Sequence, residues 1–437
     1  MPRTPDDQYE DLGPSPRAAL IGIRDTRRRV GSTDESMQEL ARLAETVDYE
    51  PAFVMTQERD APEPATYLGK GKVEELRDLV LAEEAGVVIV DGVLSPTQAR
   101  NLEDATGVPV MDRTELILRI FASRARTSEG KIQVELARAK HALTRLAGLG
   151  VDMSNPGAGI GTRGPGEQRI EVDRRILRNR IAQLTRELHK VERVRAEQRK
   201  KRQESGIAVI SLVGYTNAGK STLFNALTGE DTYADDKLFA TLDPWTRRWT
   251  LPSGETALLV DTVGFIQGLP HELVAAFRAT LEESVDANVL IHVVDASSPS
   301  WPSQVATVNG VLSDLGVEDR PKIVCFNKAD KVHPQDLDAA QRLYPGSVAI
   351  SALHEDGLGD LSAAVERELS GKRRLVSWLL PYDKWDILYD LRRAGVVREE
   401  QHTGDGAVVV CELRPEDVAR FTRKIGQRPL MERQPTP

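Results

Sequence analysis

Cysteine is almost absent from this 437-residue chain: Cys325 and Cys411 are its only two, and no CxxC occurs. That excludes a disulfide framework and a cysteine zinc site, and it fits a reducing compartment. Aromatic residues make up only 5%, so base stacking has few side chains to draw on. No window approaches the roughly 18 uninterrupted apolar residues of a membrane span. Met1–Arg17 is rich in Pro and Asp and has no apolar run, unlike a secretory leader. A soluble cytoplasmic protein without stable membrane insertion is expected.

A basic excess is missing too, for the net charge is −9. On its face that speaks against a nucleic-acid partner, but the average hides the distribution. Residues 1–111 carry 12 basic and 22 acidic side chains, residues 112–203 carry 22 and 11, and residues 204–437 carry 24 and 34. A basic island of net +11 therefore lies between two acidic flanks, and a polyanion would bind there. The rest of the composition, 40% hydrophobic and 29% charged, is that of an ordinary globular chain. Its length suggests about three domains.

Local patterns divide the chain. Residues 1–17 and 433–437 read as disordered from their Pro and charge content. Ala18–Ile23 and Val87–Val90 read as strands, and Ser36–Thr46 and Val73–Glu84 as amphipathic helices, which together make an N-terminal α/β domain over 18–113. Between them Tyr67–Lys72 resembles a phosphate loop without the GxxxxGK[ST] spacing. A turn opening the next helix is the favoured reading there, and an ATP site the other.

The basic island, 114–205, has a different build. Ile132, Leu136, Ala139, Leu143 and Leu146 form one apolar seam at helical spacing. Seven glycines between Gly148 and Gly166 then mark a breaker. A second helical pattern from Gln168 to Glu204 carries Leu177, Leu184 and Val191 at heptad spacing, with Ile181 and Leu188 interleaved. At ~1.5 Å per residue that helix is on the order of 50 Å long. Together the two patterns imply an antiparallel hairpin with a Gly-rich tip. Between Asp173 and Gln203 it carries 12 basic against 4 acidic residues, and both an RNA-binding arm and a merely solvated face fit that count. Arg163, Arg169, Arg199, Lys200, Lys201 and Arg202 are the candidate RNA contacts.

From residue 206 the signal becomes chemical. Ala208–Val213 reads as a buried strand, followed by Gly214, Tyr215, Thr216, Asn217, Ala218, Gly219, Lys220 and Ser221, then the helical Thr222–Leu227. This is a phosphate-binding loop between strand and helix, whose backbone N–H groups converge on phosphate at a helix N-terminus. Lys220 supplies a cation for the β- and γ-phosphates, and Ser221 a ligand for Mg²⁺. Leu258–Val260 leads into Asp261-Thr-Val-Gly264, where Asp261 would reach Mg²⁺ through water and the Gly264 N–H would sense the γ-phosphate. Thr241, between these motifs, completes the Mg²⁺ shell. Lys322–Phe326 leads into Asn327, Lys328, Ala329 and Asp330, whose carboxylate accepts from guanine but mismatches adenine. Val348–Ile350 leads to Ser351, Ala352 and Leu353, a backbone suited to guanine O6. In this order the motifs imply a GTP site. Asn217 is either a K⁺ ligand or a loop brace. In Ras-like GTPases a Gln follows the DxxG and orients the attacking water. Here Phe265 stands in that place, so hydrolysis is expected to be slow until a partner supplies the missing group.

The chain resembles the HflX-type GTPases. The resemblance is carried by Leu68–Leu76, Leu94–Leu102, Arg124–Lys131, Gly161–Glu167, Gly214–Asn225, and Asp261–Ile266 with Leu269–Val274. It implies a multidomain α/β protein: an N-terminal α/β domain, a helical hairpin, a Ras-like P-loop G domain over 206–371 and a small C-terminal α/β domain over 372–432. It also implies binding of GTP and GDP, and binding to the large ribosomal subunit and its RNA, not DNA. The GTP form would split stalled or stressed ribosomes as a monomer, with hydrolysis stimulated by the ribosome. Leu146–Asn155 stands where the family carries a longer tip with a Trp and a Ser-Arg-Gln element. An assembly factor that uses GTP as an occupancy signal, or a paralogue protecting the ribosome from an antibiotic, are the alternatives.

Overall fold

The computed structural model describes residues 16–25, 32–152, 165–205, 207–229, 238–239, 245–266, 287–318, 320–370, 374–413 and 415–433. Its contacts form two units, one drawn mainly from the chain up to Val191 and the other mainly from Glu192 onward.

The first unit opens on β1 (Arg17–Arg24), α1 (Ser32–Thr46), β2 (Glu50–Glu58), α2 (Lys70–Ala82), β3 (Val87–Val90), α3 (Pro96–Thr106) and β4 (Val110–Asp112). A helix crosses over between each pair of successive strands, so the four pair in parallel, in the order β2-β1-β3-β4. All four residues of β3 are buried, the pattern of a parallel strand covered on both faces. β2 is an edge strand with Pro51 at its start and only Met55 fully buried. Such a strand has no clear apolar period, and the sequence pattern missed it. Arg17 opens β1, so the N-terminal segment read as disordered ends before it.

Two of the family-like runs are helix starts. In Leu94–Leu102 the Ser95 side chain accepts from the Gln98 N–H while the Gln98 side chain accepts from the Ser95 N–H, with Pro96 next in line. This capping box satisfies two otherwise orphaned donors. In the Tyr67–Lys72 run, Gly69 is the N-cap of α2 and its N–H donates to Gln57 Oε1 at 2.8 Å. The segment opens a helix, as the turn reading expects, and α2 starts at Lys70 rather than Val73.

Three helices come next: α4 (Arg113–Arg124), α5 (Ser128–Asp152) and α6 (Pro165–Ser205). The two expected seams meet. Leu136 of α5 is buried with Leu184 and Leu188 of α6, and Ile132 and Ile181 pack against them. One expectation fails, for α5 does not stop at Leu146 but runs on through Gly148 and Gly150 to Asp152. Each helical Gly costs roughly 1 kcal/mol, too little to end a 25-residue helix. The remainder of the Gly-rich tip lies outside the described residues. Phe239 also belongs to this unit, where its ring meets Phe121 of α4 edge-on at 4.6 Å.

Helix α5 is tied to the N-terminal layer by charge. His141 Nε2 lies 3.8 Å from Asp112 Oδ2, and Arg145 bonds Glu115. Burial alone would lower the His141 pKa, but the hydrogen bond and charge of Asp112 outweigh it and the net shift is upward. Burial likewise opposes, but His141 and the N–H groups of Glu115 and Leu94 reverse it, leaving Asp112 below its usual value. A raised histidine pKa means the pair stabilises fully below the unfolded value of 6.5 and is lost as pH rises through the folded value. In urea titrations, His141→Gln should therefore cost about 1.5–3 kcal/mol near pH 6. The difference from the parent should shrink as pH rises to about 9. A gap independent of pH would show that the pair contributes by packing alone.

The second unit carries β5 (Ala208–Gly214), α7 (Lys220–Thr228), β6 (Trp245–Thr250), β7 (Thr256–Asp261), β8 (Val289–Asp295), α8 (Trp301–Asp314), β9 (Lys322–Asn327), α9 (Pro334–Leu343), β10 (Val348–Ala349) and α10 (Leu358–Ser370). Its six strands run in the order β10-β9-β8-β5-β7-β6, parallel except for β6 at the edge. From β5 the chain goes first to β6 and β7 on one side and then to β8 on the other. A crevice opens at that switch point, beyond the carboxyl ends of the strands. A third sheet is built from β11 (Arg374–Leu380), α11 (Asp386–Ala394), β12 (Val396–Thr403), β13 (Gly406–Leu413), α12 (Pro415–Ile425) and β14 (Met431–Arg433). It is antiparallel, in the order β12-β13-β11-β14. Arg433, read as the start of a disordered tail, instead pairs with Leu375. Among the described residues no helix is long and apolar enough to cross a membrane.

Candidate nucleotide site

The site is built where β5 turns into α7. Gly214 ends β5 at φ +157, and a Cβ there would stand 2.3 Å from the Val293 carbonyl oxygen of β8. Gly219 has φ +91, and a Cβ there would stand 2.2 Å from Asn327 Nδ2. Both positions require glycine, for conformation and for close approach. Between them the loop runs into the first turn of α7, Lys220, Ser221 and Thr222, the end of a helix at which anions bind.

Lys220 is buried, and its Nζ donates to the Gly214 and Tyr215 carbonyl oxygens at 3.2 and 2.9 Å. Burial pushes its pKa down to about 8, and Asp261 pulls partly the other way. An anion beside it would restore its full charge, which is how a buried lysine gains from binding phosphate. Ser221 Oγ donates to Asp261 Oδ2 at 2.8 Å. Two hard oxygen donors thus stand together at the helix start, fitting Mg²⁺. No cluster of three acidic, His or Cys side chains occurs among the described residues.

The far wall is made by β9 and the turn after it. Asn327 is a brace: its Nδ2 donates to the Ala218 carbonyl at 2.8 Å and its Oδ1 accepts from the Ala352 N–H at 3.0 Å. Lys328, at φ +61, donates to the Asn217 carbonyl at 2.9 Å and to Asp295 Oδ2 at 2.7 Å. Asp330 is exposed, just beyond the end of β9. Ser351 Oγ donates to its Oδ1 at 2.6 Å, and His354 Nε2 lies 3.9 Å from its Oδ2. The Ser351 hydrogen bond holds this carboxyl below its usual range. Ala352 is buried, while the Leu353 side chain is exposed and only its backbone can serve the site.

Loop, helix start, Asp261 and the β9 wall thus come together as the motif order predicts. Asp295 and His354 were not anticipated. A carboxylate at the carboxyl end of β8 was the available signal for Asp295, and His354 had none. His292, one strand from the loop, is neutral: burial, then Lys322 and Lys220, pull its pKa down to about 3. Phe265 is buried at 2% exposure, so its side chain offers nothing to an attacking water. Thr241 and Arg163 lie outside the described residues. So do the side chains of Arg169, Arg199, Lys200, Lys201 and Arg202, all on α6.

Three family models match in chain order: "GTP-binding GTPase N-terminal" over 34–122, "GTP-binding GTPase Middle Region" over 124–202 and "50S ribosome-binding GTPase" over 209–328. The chain is 48% identical over 402 residues to the GTPase HflX of Caldanaerobacter subterraneus subsp. tengcongensis, covering 91% of this chain and 92% of that one. It is 42% identical over 399 residues to the GTPase HflX of Escherichia coli, with coverages of 91% and 93%. Among solved structures it is similar to a GTP-binding protein from Sulfolobus solfataricus in complex with GDP, at 26% identity and a TM-score of 0.44, covering 81% of this chain and 98% of that one.

Proposed function

The chain belongs to the HflX family of GTPases, and from that premise we propose that its GTP form binds the large ribosomal subunit through the α5–α6 hairpin and dissociates stalled or stressed ribosomes. The observation that carries this is the charge of α6, a 41-residue helix with 12 basic against 4 acidic side chains between Asp173 and Gln203. One-signed charge on a long helix suits the phosphate backbone of RNA. The "50S ribosome-binding GTPase" description of the matched model supports the same partner.

Each site residue has a role in this reading. The loop from Gly214 to Thr222 cradles the phosphates, with Lys220 against the β- and γ-phosphates. Ser221 and Thr241 would hold Mg²⁺, with Asp261 behind, and the ion would neutralise charge on the phosphates. Asn327 and Lys328 fix the loop to the base pocket. Asp330 and the backbone of Ser351–Leu353 read guanine, and Gly264 meets the γ-phosphate. Asn217 would serve K⁺, a role that turnover in K⁺ compared with Na⁺ tests. Because Phe265 cannot orient water, hydrolysis is slow alone and rises several-fold with large subunits. Equal rates with and without subunits would reject partner-supplied catalysis.

Sucrose gradients of intact ribosomes with the protein and a non-hydrolysable GTP analogue test the main reading. The monosome peak should fall and the subunit peaks rise. An unchanged monosome peak with the protein on large subunits would instead favour an assembly or occupancy factor. Replacing Arg199, Lys200, Lys201 and Arg202 with Gln should flatten the salt dependence of subunit binding. Each phosphate contact contributes about 0.7–0.9 to the log–log slope. If that slope stays put, these residues only solvate the helix.

A further inference from the structure

The C-terminal sheet carries an exposed cluster of aromatic rings, and we propose that it is a docking surface for a lysine- or arginine-rich segment of a partner protein. The surface is separate from the nucleotide site and from the α5–α6 hairpin, and the proposal rests on neither.

Aromatic residues make up only 5% of the chain, and four of their side chains are exposed among the described residues: Trp245, Tyr382, Trp385 and Tyr389. The last three fall together, on the 3₁₀ turn Tyr382–Lys384 and the start of α11. Helix α11 sends Ile387, Leu388, Leu391 and Ala394 into the core of this sheet. Tyr389, 66% exposed, therefore stands on its solvent side, where an amphipathic helix is ordinarily polar. The β12–β13 hairpin adds His402, also exposed. The His402 ring centroid lies 5.6 Å from that of Trp385 and 6.2 Å from that of Tyr382, and the Tyr382 and Trp385 centroids are 5.7 Å apart. Three rings thus form a nearly equilateral triangle. Tyr382 Oη donates to the Thr403 carbonyl at 3.1 Å and Lys384 Nζ to the Ile425 carbonyl at 2.8 Å, which pins the turn to the hairpin and to α12. One exposed ring is ordinary, whereas a contiguous and fixed group marks a contact surface.

The charges beside the rings decide the partner. Among the described side chains the neighbouring cations are already engaged: Arg392 pairs with Glu400, Lys424 with Asp390, and Lys384 is held by the Ile425 carbonyl. Asp383, Asp386 and Asp405 are exposed, and no ion pair among the described residues reaches them. Asp383 follows Tyr382 and Asp386 follows Trp385 in the chain, and Asp405 lies two residues beyond Thr403, the acceptor for Tyr382. The faces of Trp and Tyr rings attract cations, and unpaired carboxylates beside them add to that attraction. Lysine and arginine suit both features, because their methylene stems cover apolar rings while the charged head stays at the polar rim. A nucleic acid could stack on the rings only by bringing phosphates beside three unneutralised carboxylates, and an acidic peptide meets the same repulsion.

Fluorescence anisotropy of a labelled octalysine peptide with the full chain at low salt tests this. Trp385→Leu keeps apolar area but removes the π face, and should weaken binding about three- to ten-fold, whereas Trp385→Phe should stay within about two-fold of the parent. Changing Asp383→Asn and Asp386→Asn together should weaken it about ten-fold, a difference that shrinks as salt rises to about 0.5 M. Changing Asp336→Asn and Asp338→Asn on α9, both exposed, removes the same charge elsewhere and should alter binding by less than about two-fold. GTP turnover should match the parent in every variant, since none touches the nucleotide site. Equal weakening by the two Asp pairs would reduce the binding to overall charge and overturn the proposal. So would a parent that does not bind octalysine, or a Trp385→Leu variant that binds it as the parent does. Octauridine RNA bound in preference to octalysine, and lost in Trp385→Leu, would overturn it by assigning the surface to nucleic acid.

Discussion

Replacing Lys220 with alanine should cut GTP turnover by about 10²–10³-fold, the range found when one preorganised charge-stabilising donor is removed from a reaction centre. Lys220 Nζ is buried and pinned by two loop carbonyls. Its charge is therefore oriented before substrate arrives, and alanine deletes that charge outright. The Gly214 and Tyr215 carbonyls also lose their common donor, which loosens the loop and weakens binding of GDP as well as GTP. Phosphate release and labelled-nucleotide binding measured together would show both losses, and turnover within about three-fold of the parent would remove Lys220 from the chemistry. The same variant decides on a second nucleotide site. ATP turnover that survives in Lys220→Ala would locate one in residues 18–113, against the helix-start geometry of Gly69–Lys72.

Asp330→Asn should exchange the base preference, lowering affinity for guanine nucleotides by about 10²-fold or more and raising it for xanthine nucleotides. In the proposed role the carboxylate would accept from two guanine donors, N1–H and the 2-amino group. An amide in its place keeps one acceptor and presents N–H where the 2-amino group needs an acceptor. Xanthine carries a carbonyl at that position and accepts from the new N–H. The Ser351 hydroxyl, which donates to Asp330 Oδ1, can donate equally to an amide oxygen, so the side chain should keep its position. Displacement of labelled GDP by GDP and by XDP gives the ratio directly. A variant that still prefers GDP would place guanine recognition elsewhere in the pocket.

The parts of the fold legible in the sequence are those whose cause is local. Glycine spacing before Lys220 and Ser221 encodes a loop because positive φ and close approach act over a few residues. The seams Ile132–Leu136 and Ile181–Leu188 could be read as faces because helical period is a short-range property. β3 was legible because a parallel strand buried on both faces is apolar at every position. β2 and β6 were not. Each is an edge strand, half-covered, with Pro51 in one and Arg247 and Arg248 in the other, so neither carries a period to find. The end of α5 was misread because glycine weakens a helix without a power to stop it.

By itself, then, the sequence pointed to a guanine-nucleotide site, to the residues proposed to line its phosphates and base, and to a basic hairpin before it. Tertiary structure alone decided how those residues are held. Asn327 reaches across 109 residues to brace Ala218, and Lys328 across 33 to Asp295. His141 meets Asp112, and the backbone of Phe265 closes on Gly214 and Thr216. None of these pairings is a property of either residue's neighbourhood in the chain. They arise from the register of β5 against β7 and β8 and from the docking of α5, which only the assembled core sets.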